Sequence, residues 1–254
     1  MYIGRFPLFA PSIYKLFHNT MQGRSFLNSI PPVTLNLIII NFIMWVATLV
    51  IGTDPITGQY RLVEWLGMHY WQAENFNVAQ LITYMFMHDP YSLSHVFFNM
   101  FSVFMFGRLL EQVWGGKRFL FYYMTTGIVA GLVQQVAWHF EFGSQIAEMS
   151  LYYSGREVAQ MLNGLVTIGA SGAVFGILLA FGMLFPNMPL YIFFIPIPIK
   201  AKWFVIFYGL LELWLGISGS MDSVAHFAHL GGMLGGIILI LYWRKKGIGN
   251  GFYY

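Results

Sequence analysis

Ser171 stands in the run Gly169-Ala170-Ser171-Gly172, inside an apolar stretch from Thr167 to Phe185. His95 and Asn99, four residues apart, share a face of a second apolar stretch. His226 and His229 open a third. A hydroxyl is a weak nucleophile until an adjacent base takes its proton, so serine and histidine on separate segments suit acyl transfer. Each residue also has a plain structural use. A serine in an apolar helix often bonds its own backbone, and a lone histidine or a His/Asn pair often serves only to join helices. The chain has no cysteine, which excludes thiol catalysis, disulfides and cysteine-based metal sites.

The elements that would position these residues are apolar and long. Of 254 residues 57% are hydrophobic and 9% charged, and the mean hydropathy is +0.63. A soluble domain carries roughly a quarter charged residues, so the composition points to an all-α polytopic membrane protein. A bilayer core needs about 20 mostly apolar residues per helix. Segments near 33–51, 94–114, 118–139, 165–186, 203–219 and 223–243 meet that need. The connection after the first holds Trp65, Tyr70, Trp71, Tyr84 and Phe86, a composition suited to the membrane interface. Four prolines between Pro186 and Lys200 argue against a regular helix there. The first residues carry Arg5, Lys15 and Arg24 without the order of a signal peptide, so no removable leader is expected.

Charge sets the expected orientation. With a cytoplasmic N-terminus and six crossings, the inner segments hold Arg5, Lys15, Arg24, Arg108, Lys117, Arg118, Lys200, Lys202, Arg244, Lys245 and Lys246. The outer ones hold Arg61 and Arg156 alone, a strong positive-inside bias that places both termini in the cytoplasm. Ser171 then lies about six residues into the fourth segment, counted from outside, and His229 about seven into the sixth. His95 and Asn99 lie at the mouth of the second. Ser171, Asn99 and His229 thus fall within the first ~10 Å below the outer surface. Polar groups are costly in a membrane and usually face a bundle interior or mark function. Small-xxx-small pairs accompany them, Gly172 with Gly176 and Gly232 with Gly236, beside Gly231 and Gly235. His229, Gly232 and Gly236 share one helical face, which would lay the imidazole against the helix bearing Ser171.

"GASG", "HVFFN" and "AHLGGMLGG" together resemble the signature elements of the rhomboid intramembrane serine proteases. "QLITYMFMHDPYSLSHVFFNMFSVFMFG" (80–107) resembles the family's stretch entering its second helix. "GRLLEQVWG" resembles its G-x-x-x-E-x-x-x-G pattern at Gly107, Glu111 and Gly115. Glycine is not found two residues after Ser171, where Ala173 stands, and no strand is read before it, so this is not the soluble hydrolase elbow. The resemblance implies a six-helix core over 33–243, a cytoplasmic N-terminal segment over 1–32 and a cytoplasmic tail over 244–254. It implies a Ser–His dyad in place of a triad, with Ser171 as nucleophile and His229 as base and then acid. His95, Asn99 and the Ser171 N–H would form the oxyanion hole, and Phe175 would stack on the histidine. Gly169, Gly172, Gly232 and Gly236 would support the close packing. The spacing H-x-x-G-x-x-x-G selects His229 over His226, whose role stays open, and His88 reads as structural. The family's Trp-Arg pair in the first long loop is absent.

The expected partners are transmembrane protein substrates and the lipid bilayer, with no nucleic acid, no metal and no cofactor, in the inner membrane of a bacterium. Two other classes compete. A transporter would place paired carboxylates near the midplane, whereas Glu212 alone lies well inside a segment. A catalytically inactive rhomboid-like chaperone or binding module would not need both Ser171 and His229.

Overall fold

The computed structural model describes residues 29–191, 198–218 and 223–247. Helix α1 (Pro32–Ile51) begins with Pro32, where a missing N–H costs nothing. Its first turn has a partner far along the chain. The Glu111 carboxylate accepts from the Val33 N–H (3.0 Å), the Thr34 N–H (2.7 Å) and the Thr34 hydroxyl (2.7 Å). An acidic group is favoured at the positive end of a helix, and here it satisfies amides that no helical carbonyl can reach.

The connection that follows is folded. It contains α2 (Arg61–Leu66), β1 (Met68–His69), α3 (Gln80–Thr83) and a 3-10 turn at Tyr84–Phe86. Gln80 and Gln135 hold it together: Gln80 Oε1 accepts from the His69 N–H (3.2 Å), and the Gln135 Nε2 amide donates to the His69 carbonyl (2.7 Å). Helix α4 (Leu93–Trp114) is interrupted by a π-helical turn at Val103–Gly107. Gly115, at φ +77°, separates it from α5 (Gly116–Met149). Helix α5 runs well beyond the expected end at residue 139, into a polar stretch that an apolar window does not capture.

Short α6 (Gly155–Met161) carries a Ser154–Glu157 capping box. Then β2 (Val166–Thr167) pairs antiparallel with β1, Met68 opposite Thr167. Helix α7 (Ser171–Leu184) follows. The proline-rich stretch contributes β3 (Pro189–Leu190) and β4 (Ile199–Lys200), an antiparallel pair, before α8 (Ala201–Ile217) and α9 (Ser223–Lys245).

Among the described residues, α1, α4, α5 and α9 are long and apolar enough to cross a membrane, and α7 is a shorter apolar helix. Helix α7 is the hub: 11 of its 14 residues are buried, and α5, α8 and α9 pack around it. Glycines set those distances. A Cβ on Gly232 of α9 would fall 1.8 Å from the Gly172 carbonyl oxygen of α7, so the two backbones touch. Gly236 departs from the expected pairing, because its first neighbour is the Tyr122 hydroxyl of α5, with Leu179 of α7 behind it. Gly172 and Gly176 likewise face Ala130 and Thr126 of α5. The glycine faces therefore build a junction of three helices, tied by the Tyr122 hydroxyl donating to the Gly176 carbonyl (2.8 Å).

Candidate active site

Ser171 opens α7; it does not lie six residues inside a helix. The residues before it are extended, and a two-residue strand does precede the motif, contrary to the sequence reading. The cause is local. β2 is held on β1, the Gly169 N–H donates to the Tyr84 carbonyl (3.0 Å), and Gly169 takes φ +132°, which side-chain-bearing residues rarely adopt. Tyr84 is itself anchored, its hydroxyl donating to the Gly127 carbonyl of α5 (2.7 Å). A chain that turns sharply into a helix at Ser171 leaves that residue's N–H without a helical acceptor, at the positive end of the helix dipole.

His229 of α9 meets the serine, with Nε2 2.8 Å from Ser171 Oγ. Its ring lies flat against Phe175, one turn along α7, at 4.2 Å between centroids and 9° between planes. Tyr208 of α8 also packs on Phe175, tilted at 41° with 5.4 Å between centroids. The glycine contact at Gly172 and Gly232 fixes the two helices at the separation this hydrogen bond needs.

His95 and Asn99 sit on α4 across a cavity of about 360 Å³ that also exposes Ser171, Phe175, Phe204 and Tyr208. His229 stands behind Ser171, outside that lining. The Asp89 N–H donates to His95 Nδ1 (3.2 Å), so the proton of the neutral ring sits on Nε2. That atom would lie 3.0 Å from a Cβ at Gly169, a position 3.6 Å from Ser171 Oγ, so a side chain there would intrude between them. Asn99 donates to the His95 carbonyl (2.9 Å), which uses one of its two amide hydrogens and leaves the other for the cavity. His88 stacks edge-on against His95 at 5.0 Å between centroids. Burial, with His95 beside it, pushes its imidazole down to about 3, so His88 puts no cation behind His95.

The sequence reading assigned no partner to Glu212. Its buried carboxylate Oε2 lies 3.0 Å from His229 Nδ1 and 2.5 Å from His226 Nδ1. The three ligand atoms lie within 4.8 Å of one another, close enough to hold a metal ion. Nδ1 of each of these two histidines already has the carboxylate as its hydrogen-bond partner. The signal available in the sequence was Glu212 itself, a carboxylate within an apolar helix.

A serine bonded to an imidazole, at a helix start facing a cavity with two further donors, has the parts for acyl transfer. The rhomboid domain model matches residues 75–246. "Rhomboid protein 1, mitochondrial" of Saccharomyces cerevisiae is 28% identical over 151 residues, covering 59% of this chain and 38% of that protein. "Putative rhomboid protease YdcA" of Bacillus subtilis is 26% identical over 239 residues, covering 91% of this chain and 98% of that one. The family match spans the site and more than half of the chain, and the chain belongs to the rhomboid family of integral membrane proteins.

Proposed function

We propose that this protein is an intramembrane serine endopeptidase that cleaves transmembrane segments of other membrane proteins near the outer membrane surface. The observation that carries the reading is the 2.8 Å contact between His229 Nε2 and Ser171 Oγ at the edge of a cavity. Ser171 Oγ attacks the scissile carbonyl as His229 takes its proton, and His229 then returns that proton to the leaving amine. Water repeats the cycle on the acyl-enzyme and frees the serine. His95 Nε2–H, the Asn99 amide and the Ser171 N–H receive the oxyanion, while Phe175 keeps the imidazole face covered.

The proposed architecture has six crossings with both termini cytoplasmic, a core over 33–243 and flanking segments over 1–32 and 244–254, in a bacterial inner membrane. Residues 1–28 and 248–254 lie outside the described residues. The excess of Lys and Arg on one side supports that orientation.

A regular helix shields its carbonyls, so substrates should unwind near the cut, helped by glycine or proline. The test is cleavage of a single-span substrate in proteoliposomes, with product masses mapping the cut. Wild type is expected to cut in the outer part of the span, with activity surviving a metal chelator, and Ser171→Ala and His229→Ala to be inactive though inserted. Cleavage by Ser171→Ala at the wild-type rate would overturn the reading.

A further inference from the structure

We propose that Glu212 completes the catalytic arrangement as a positioning residue, its carboxylate holding His229 in the tautomer that accepts the Ser171 proton, with His226 as its second donor. The inference rests on the Ser171–His229 reading and adds to it. The carboxylate belongs to α8, the nucleophile to α7 and the base to α9, so three helices meet in one line of hydrogen bonds.

The first argument is satisfaction. A carboxylate taken out of water is costly unless hydrogen-bonded, and Glu212 is 6% exposed. Both of its recorded hydrogen-bond partners are imidazole nitrogens, His226 Nδ1 and His229 Nδ1. The glutamate is therefore placed by the site, and it has no other load to carry among these contacts.

The second argument is the direction of the proton. An ionised carboxylate only accepts, so Nδ1 of each histidine carries the hydrogen. A neutral His229 protonated at Nδ1 has its lone pair on Nε2, the atom 2.8 Å from Ser171 Oγ. Without the carboxylate, the opposite tautomer would present N–H to the serine and the base would be lost. When the serine proton moves to Nε2, His229 becomes a cation with Nδ1–H still on Oε2. The negative charge next to it stabilises that imidazolium, and Glu212 itself need take no proton.

The third argument separates the two histidines. They are three residues apart on α9 and both reach one oxygen, yet Ser171 is bonded to His229. His226 supplies the second hydrogen bond that a desolvated carboxylate requires. This gives it a role that the spacing motif leaves open.

The experiment compares wild type, Ser171→Ala and Glu212→Gln in the same proteoliposomes, with kcat, KM and thermal unfolding for each, and histidine ¹⁵N NMR on wild type and Glu212→Gln. The His229 signals are assigned as those lost in His229→Gln. Glutamine keeps the shape and removes the charge, so unfolding should change little, KM should hold, and kcat should fall roughly 10²–10⁴-fold, as for the analogous change in a serine protease triad. Wild-type His229 should show hydrogen on Nδ1 and none on Nε2, and that pattern should be lost in Glu212→Gln. Wild-type kcat in Glu212→Gln, or a loss confined to KM, would overturn the proposal. So would Nε2-protonated His229 in the wild type, which decides the matter even if the glutamine variant fails to fold. An active Ser171→Ala would instead bring down the underlying reading.

Discussion

Gly232→Ala adds one methyl group against the Gly172 backbone, removes no proposed catalytic atom, and should still disable the enzyme. The new Cβ would lie 1.8 Å from the Gly172 carbonyl oxygen and 2.7 Å from its carbon. Both obstacles are backbone, so no side-chain rotation relieves them. Restoring ordinary contact at 3.4 Å requires α7 and α9 to part by about 1.6 Å at this point, by arithmetic on those distances. His229 lies three residues earlier on α9, and Ser171 directly precedes Gly172, so the shift falls on the 2.8 Å hydrogen bond between them. A separation beyond about 3.5 Å is no longer a hydrogen bond. A misplacement of about 1 Å can cost on the order of 100-fold, so kcat/KM should drop at least that far. The clash should also cost about 1–3 kcal/mol in stability, the range for overpacked interiors. Turnover of a single-span substrate reads the first quantity, and thermal unfolding in detergent reads the second. Gly143→Ala is the control: its Cβ meets nothing within 4 Å, so activity should be unchanged. Wild-type turnover and stability in Gly232→Ala would refute the reasoning, since the helices could not then be in backbone contact.

Two further outcomes are expected. Asn99→Ala should lower kcat by roughly 10²–10³-fold with little change in KM, the range for losing one oxyanion donor; a raised KM at constant kcat would make Asn99 a substrate-binding residue. Glu111→Ala should leave the turnover of folded protein intact but lower stability by about 2–3 kcal/mol, because amides at the start of α1 lose a charged acceptor; unfolding experiments check it, and a kcat defect at unchanged stability would contradict it.

The sequence made the polar residues legible because they interrupt apolar runs, and the structure brings Ser171 and His229 to hydrogen-bond distance. What it hid was mostly long-range. Glu212 lies 14 and 17 residues before the two histidines, on another helix, and no local pattern ties them. The true start of α7 was masked because Val166 to Ala170 is as apolar as the helix that follows. Hydropathy alone does not distinguish a short apolar extended stretch from a helix. Gly169 was the available clue, since its conformation is what ends the extended stretch. The glycine faces were visible as spacing, but spacing does not name the partner, and α5 turned out to take Gly172, Gly176 and the nearest contact of Gly236. Glu111 belonged to a recognisable pattern, while its use as the cap of α1, 77 residues earlier, rests on tertiary packing.

Helix α7 is 14 residues long and so about 21 Å from end to end, against a hydrocarbon layer of about 30 Å. A helix that short in contact with lipid would force the bilayer to thin or itself to tilt, at a fraction of a kcal/mol for each ångström of mismatch. With 11 of its residues buried, α7 is sheathed by protein and escapes that force. Changes in membrane thickness therefore press on the outer helices, such as the 20-residue α1, before they reach the serine. The reacting geometry is insulated from the fluid around it, so acyl-chain length should alter how substrates arrive more than how fast a docked carbonyl is attacked.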